Sequence, residues 1–208
     1  LLEHEVLQIL DAYNLPLPPF KFFPYGSSID AHEMEGITYP LVLKVVSREI
    51  IHKSDVGGVR LHLKSFDEMV EAIDKMEFEI HKTKPKARID GWLLRSFIPS
   101  GTELIVGSIN DDRLGTAIMA GVGGVFTEAY KDVSFRLVPI EKTDALEMLG
   151  ELKGQPILDG LRTGAPLDRE RIADFLTLFS RFIHENPEVE ECDLNPLICT
   201  GDSIMIAD

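Results

Sequence analysis

Ile50-Ile51-His52-Lys53-Ser54-Asp55-Val56-Gly57-Gly58-Val59 sits between two short apolar runs, Leu41-Val42-Leu43-Lys44-Val45-Val46 before it and Val59-Arg60-Leu61-His62-Leu63 after it. The pattern predicts strand, polar glycine loop, strand, with one Lys inside the first strand and one His at the mouth of the loop. Glycines let backbone N–H groups turn inward, and a nearby ammonium adds charge, so the arrangement points to polyphosphate oxygens. It is not a Walker loop, because no Gly-Lys-Ser/Thr follows, and not a dinucleotide fingerprint, because no helix opens from it.

Toward the N-terminus, Leu2, Val6, Leu7, Ile9 and Leu10 predict a helix over about residues 2–13, closed by Asn14 and an extended arm containing Pro16, Pro18 and Pro19. A short strand over Lys21 to Tyr25 and a short helix over Ser28 to Glu35 precede the central stretch. After it, Ser65 and Glu68 form a capping-box pattern that opens an amphipathic helix to about Lys82, with Met69, Val70, Ile73 and Met76 on its apolar face. Trp92–Ile98 and Thr102–Ile109 read as strands joined in a hairpin by Pro99-Ser100-Gly101. Thr116–Ala120 is followed by a second glycine loop, Gly121-Val122-Gly123-Gly124, then by an extended segment from Val125 and a strand over Val133–Val138. Helices over about 143–151 and 169–184, the latter capped by Asp168, flank a long loop over 154–166. Val189–Cys192, a turn at Asp193-Leu194-Asn195-Pro196 and a strand over Ser203–Ala207 end the chain. Strands and helices mix without strict alternation, which predicts an α+β fold of two lobes with largely antiparallel sheets.

Composition excludes some partners. A net charge of −14 over 208 residues leaves no basic footprint for nucleic acid. No apolar run approaches the ~20 residues of a membrane span, and the first residues lack a signal-peptide pattern. Two cysteines, Cys192 and Cys199, make no disulfide framework, and the expected compartment is the reducing cytoplasm.

Five groups of residues can carry chemistry. Lys44 must reach solvent from an edge strand or pair with an anion, since an unpaired buried ammonium is costly. Val56, Gly57 and Gly58, with the second glycine loop, are either plain hairpin turns or phosphate-facing loops. Glu190, Glu191, Asp193, Asn195 and Asp208 form an acidic end. Along an extended strand Glu191, Asp193 and Asn195 share a face, and with Asp208 they suit a hard cation such as Mg²⁺; the alternative is a solvated acidic strand. Cys192 and Cys199 then face the other way as packing residues. Glu103, in Gly101-Thr102-Glu103-Leu104-Ile105-Val106-Gly107, meets a ligand, a cation or water. His52 is a surface imidazole or a nucleophile toward phosphorus.

Together these residues resemble the ATP-grasp domain of the ADP-forming (NDP-forming) acyl-CoA synthetases, relatives of the succinyl-CoA synthetase β subunit. The resemblance spans nearly the whole chain and is carried by YPLVLKVVS (39–47), IIHKSDVGGV (50–59), GTELIVG (101–107), GVGGVFTEAYKDVSFRLVP (121–139) and ECDLNPL (191–197). It implies an ATP-grasp fold over 1–208, with a helix and arm over 1–19, a smaller lobe over about 20–100 and a larger one over 101–208, enclosing a nucleotide site. By position, Lys44 matches a phosphate-contacting Lys, Val56, Gly57 and Gly58 part of a glycine-rich flap, and Asn195 and Asp208 the Mg²⁺ ligands. Asp193 matches a carboxylate that steadies an incoming phosphohistidine, and His52 a relay for the phosphoryl group. Glu103 is placed with the nucleotide contacts and Glu191 with the catalytic carboxylates. The implied activity is that of an acid–CoA ligase, most closely an acetate–CoA ligase: acyl-CoA, ADP and phosphate give acid, CoA and ATP. A CoA-binding α subunit carrying the phosphorylated His is the implied partner, in a hetero-oligomer such as a heterotetramer. Two positions depart from the pattern, Thr163 after Arg162 and Leu114 after Arg113, and neither removes a charge. A non-catalytic nucleotide-sensing domain and a carboxylate–amine ligase are the competing readings.

Overall fold

In a computed structural model, residues 1–111, 113–123, 132–161, 164–201 and 203–208 are described. The chain divides into two compact units, Leu1–Asp11 with Leu17–Phe97, and Ala12–Pro16 with Ile98–Asp208.

In the first unit, β1 (Phe20–Pro24), β2 (Leu41–Val46), β3 (Val59–Leu63) and β4 (Gly91–Ser96) form a sheet in the order β1-β4-β2-β3. Every pairing in it is antiparallel. Alternation along β2 divides its side chains between two layers. Leu41, Leu43 and Val45 belong to a core with Met69, Ala72, Met76 and Ile80 of helix α2 (Phe66–Thr83), whereas Val46 packs with Leu93 and with Leu7 of helix α1 (Glu3–Ala12). The α2 stripe recurs every three or four residues and is fully covered at Met69, Met76 and Ile80, each contributing about 1.5–3 kcal/mol of transfer free energy. Ser65 caps that helix as expected, its Oγ accepting the Glu68 N–H at 3.1 Å, but the expected box is not closed, because the Glu68 carboxylate accepts the Lys64 N–H at 2.7 Å.

The second unit has a five-stranded antiparallel sheet in the order β7-β6-β5-β8-β9, from β5 (Thr102–Asp111), β6 (Gly115–Val122), β7 (Val133–Leu137), β8 (Glu191–Cys199) and β9 (Ile204–Ile206). Helix α3 (Lys142–Glu151) packs on α5 (Arg169–Glu185), which buries Ile172, Phe175, Leu176, Phe179 and Ile183. Asp168 caps α5 by accepting the Arg171 N–H at 3.1 Å.

The α+β class and the antiparallel sheets agree with the sequence, and four local expectations are corrected. Trp92–Ile98 and Thr102–Ile109 form no hairpin. Both edges of β4 are already taken, by β1 and β2, so β5 joins the other sheet. Asp193-Leu194-Asn195-Pro196 is no turn either, because β8 runs straight through it. Val106 opposes Leu194 and Leu104 opposes Leu197, so one extra β8 residue is absorbed as a bulge, where a proline's missing N–H is tolerated. Burial of Leu194 and Leu197 is what keeps this polar segment extended. Gly121 and Val122 belong to β6, not to a loop; a Cβ on Gly121 would lie 2.8 Å from the Asp132 carbonyl oxygen, so the glycine serves strand packing. The 154–166 loop contains a short helix, α4 (Gln155–Leu158). Gly124, the extended segment from Val125, Arg162 and Thr163 lie outside the described residues.

Candidate functional site

Lys44 sits on an inner strand and is 7% exposed, which removes the edge-strand reading. Its ammonium donates to Glu3 Oε1 at 2.9 Å. Lys53 forms an ion pair with the other oxygen of the same carboxylate, Oε2, at 2.9 Å, and Arg95 Nη1 lies 4.0 Å from Oε1. Register explains the meeting: Val42 opposes Arg95 and Lys44 opposes Leu93, so Lys44 and Arg95 rise from one face of the sheet, the face α1 covers. Burial alone would raise the Glu3 carboxyl, but Lys44 and then Lys53 outweigh it and hold its pKa below the ordinary value. Removing the Glu3 carboxylate takes from both lysines an anion that they share.

Sequence reasoning did not find Glu3, Lys53 or Arg95. Glu3 looks like an ordinary first-turn acid that favours a helix N-terminus. Arg95 did carry a signal, since a lone Arg within Trp92-Leu93-Leu94-Arg95 poses the same question as Lys44.

The opening loop is more structured than glycine content suggests. A 3₁₀ turn spans Ser54–Val56 and ends on Gly57 at φ 68°, in the left-handed region. Gly57 and Gly58 donate their N–H groups to the carbonyls of Ser54 (3.2 Å) and Lys53 (2.7 Å), and Val56 donates to Lys53 at 3.3 Å. All three N–H groups expected to face phosphate are therefore used inside the loop in this state. A Cβ on Gly58 would fall 2.6 Å from Val45 Cγ1 and 2.9 Å from the Lys53 carbonyl oxygen, so close backbone approach requires glycine there. His52 precedes this turn with its side chain exposed.

In the second unit, β8 presents Glu191, Asp193 and Asn195 outward while Leu194 points into the core. The Asn195 N–H donates to the Asp208 carbonyl oxygen at 3.1 Å, bringing these two residues together across adjacent chain segments. Partial burial first, then the nearby Glu191 and Asp208 carboxylates, raise the Asp193 carboxyl pKa. Among the described residues no three His, Cys, Asp or Glu side chains gather into a metal cage. An amide oxygen and a carboxylate, with a second carboxylate near, nevertheless suit Mg²⁺, which takes few protein oxygens and completes its shell with water and substrate phosphates. Gly107 lies opposite Asp193 in the β5–β8 register, so no side chain stands at that place on the neighbouring strand. Glu103 is exposed, and Gly123 closes on it through a 2.7 Å bond to the Glu103 carbonyl. Burial raises the thiol of Cys192 to about 11 and that of Cys199 to about 12, so both are protonated packing groups, as expected.

The site residues thus fall into two sets: Lys44, His52, Val56, Gly57 and Gly58 in the first unit, and Glu103, Glu191, Asp193, Asn195 and Asp208 in the second. No helix among the described residues is long and apolar enough to cross a membrane.

Residues 1–208 match the model of the ATP-grasp domain family. The chain is 42% identical over 209 residues to the acetate–CoA ligase (ADP-forming) I subunit beta of Pyrococcus furiosus, covering 100% of this chain and 89% of that one. It is 43% identical over 197 residues to acetate–CoA ligase (ADP-forming) I of Archaeoglobus fulgidus, covering 93% of this chain and 28% of the longer protein. Among solved structures, the dinucleotide-forming acetyl-coenzyme A synthetase 1 of Ca. Korarchaeum cryptofilum, in complex with coenzyme A and Mg-AMPPCP and with its phosphohistidine segment pointing towards the nucleotide binding site, superposes with a TM-score of 0.84. That pair is 36% identical and covers 99% of this chain and 89% of the other.

Proposed function

The chain belongs to the ATP-grasp domain family, and from that premise we propose that it is the β subunit of an ADP-forming acyl-CoA synthetase. The reaction is acyl-CoA, ADP and phosphate to acid, CoA and ATP, and it is reversible. The observation that carries this reading is the presence in one chain of a buried Lys44, an exposed His52 and an adjacent Asn195–Asp208 pair with Asp193 beside it.

Each residue has a task its surroundings suit. Lys44, already held by a carboxylate, offers a fixed ammonium to nucleotide phosphate. Val56, Gly57 and Gly58 give their N–H groups to phosphate oxygens once the 3₁₀ turn opens. Glu103, exposed at the start of β5, joins the nucleotide contacts. Asn195 and Asp208 hold Mg²⁺, which when bound offsets phosphate charge. His52 takes the phosphoryl group at a ring nitrogen as the N–P bond of the partner's phosphohistidine breaks, then passes it to the terminal oxygen of ADP. Asp193 orients the imidazole that delivers the group, and Glu191 keeps that surface anionic.

A β subunit implies further chains in the working enzyme. The partner is a CoA-binding α subunit that carries the phosphorylated His, and the acyl group is chosen there. The assembly is cytoplasmic. Isothermal calorimetry tests the first requirement: the folded chain binds Mg·ADP with micromolar affinity, and the absence of any heat from Mg·ADP overturns the reading.

A further inference from the structure

The relay loop has an anchor to which neither the sequence nor the family resemblance gives a role. The Glu3 carboxylate bridges the ammonium of Lys44 on β2, through Oε1, and that of Lys53 in the loop, through Oε2, both at 2.9 Å. Arg95 on β4 stands 4.0 Å from Oε1 and is 3% exposed. One side chain at the start of α1 therefore joins three elements of the first unit. Lys53 follows His52 directly, and its carbonyl accepts the N–H groups of both Val56 and Gly58. Anchoring Lys53 therefore restrains the backbone from which His52 projects and at which the glycine turn begins.

We propose that Glu3 is a positioning residue for phosphoryl relay, its carboxylate holding the His52–Lys53 segment in register with Lys44. The proposal rests on the roles assigned to Lys44 and His52 above. Glu3 forms and breaks no bond to phosphorus; it sets how often His52 stands where transfer succeeds. A neutral amide cannot satisfy two ammonium groups, so Glu3→Gln frees the loop, whereas Glu3→Asp keeps the charge on a shorter stem. Lys53→Met cuts the same tether from its 25% exposed end and leaves Glu3 paired with Lys44, which keeps the test open if Glu3→Gln fails to fold.

Two measurements on the intact chain and on its complex with the partner subunit decide the matter. Hydrogen exchange read by mass spectrometry on the chain is expected to rise about tenfold for amides 51–58 in Glu3→Gln and in Lys53→Met, with α2 and β4 amides unchanged. In the complex, phosphoryl transfer from phosphohistidine to ADP falls at least about tenfold while the KM for Mg·ADP stays within about threefold, and Glu3→Asp recovers most of the rate. Unaltered exchange over 51–58, or a rise shared by the whole first unit, overturns the proposal, as does a full rate in both variants. If the wild-type complex transfers no phosphate while the exchange result holds, the functional reading fails and the tether stands.

Discussion

The two units arrange their charges in opposite ways. In the first, cations meet their anion inside the protein: Lys44 and Lys53 share Glu3, whose carboxyl is held low in pKa. In the second, anions crowd one another: Glu191 and Asp208 add to partial burial and raise the Asp193 carboxyl. The first arrangement is stable as it stands and presents pre-set positive groups. The second is relieved by a cation or a proton. Fixed ammonium groups and outward-facing carboxylates are the two kinds of group that Mg·nucleotide chemistry draws on.

Variants can break this contrast from either side. The largest effect belongs to His52. His52→Ala lowers phosphoryl transfer by about 10³-fold or more, while calorimetric Mg·ADP affinity stays within about threefold. Asp193→Asn comes next, lowering transfer by about 10²-fold in single-turnover assays, the usual scale for one positioned acid–base or orienting group. Asn195→Ala weakens Mg²⁺ activation about tenfold, a loss of about 1.4 kcal/mol, read as the half-saturating Mg²⁺ in ATP formation.

Smaller effects appear in stability against pH, with opposite signs in the two units. Glu3 has a folded pKa below 4.5, so its contribution is present above that value and is lost as pH falls through the lowered one. Glu3→Gln therefore flattens the acid limb of the melting curve below pH 4.5. Asp193 has a folded pKa above 3.8, so the native state binds its proton more tightly and stability falls as pH rises from 3.8 through the raised value. Asp193→Asn is then slightly more heat-stable than wild type at pH 7, and adding Mg²⁺ narrows the difference. A melting temperature that drops in Asp193→Asn at pH 7 contradicts the crowding described here.

How much of this the residues announced follows from the range of the interaction involved. Local signals held: the Ser65 cap, the Asp168 cap and the α5 stripe are set by neighbours within a turn or two. The outward alternation of Glu191, Asp193 and Asn195 held for the same reason. The hairpin after β4 failed because strand pairing depends on which edges distant strands have already taken. The Asp193–Pro196 turn failed because buried Leu194 and Leu197 hold the segment extended against its local preference. Lys44 could be flagged from sequence as needing an anion, but 41 positions separate it from Glu3, and only the packing of α1 on the sheet brings the two together. Family resemblance named positions for metal and phosphate; it did not reveal that one carboxylate bridges the ammonium groups of Lys44 and Lys53.

The central claim is that a phosphoryl group passes through this chain. The direct measurement is to incubate the assembled enzyme with its partner subunit, acyl-CoA, Mg²⁺ and ³²P-phosphate in the absence of ADP, then map acid-labile, base-stable label by mass spectrometry. The account predicts phosphohistidine at His52 in addition to the partner's, lost in His52→Ala and chased into ATP on addition of ADP. Label confined to the partner, with ATP still formed at the wild-type rate by His52→Ala, would contradict it.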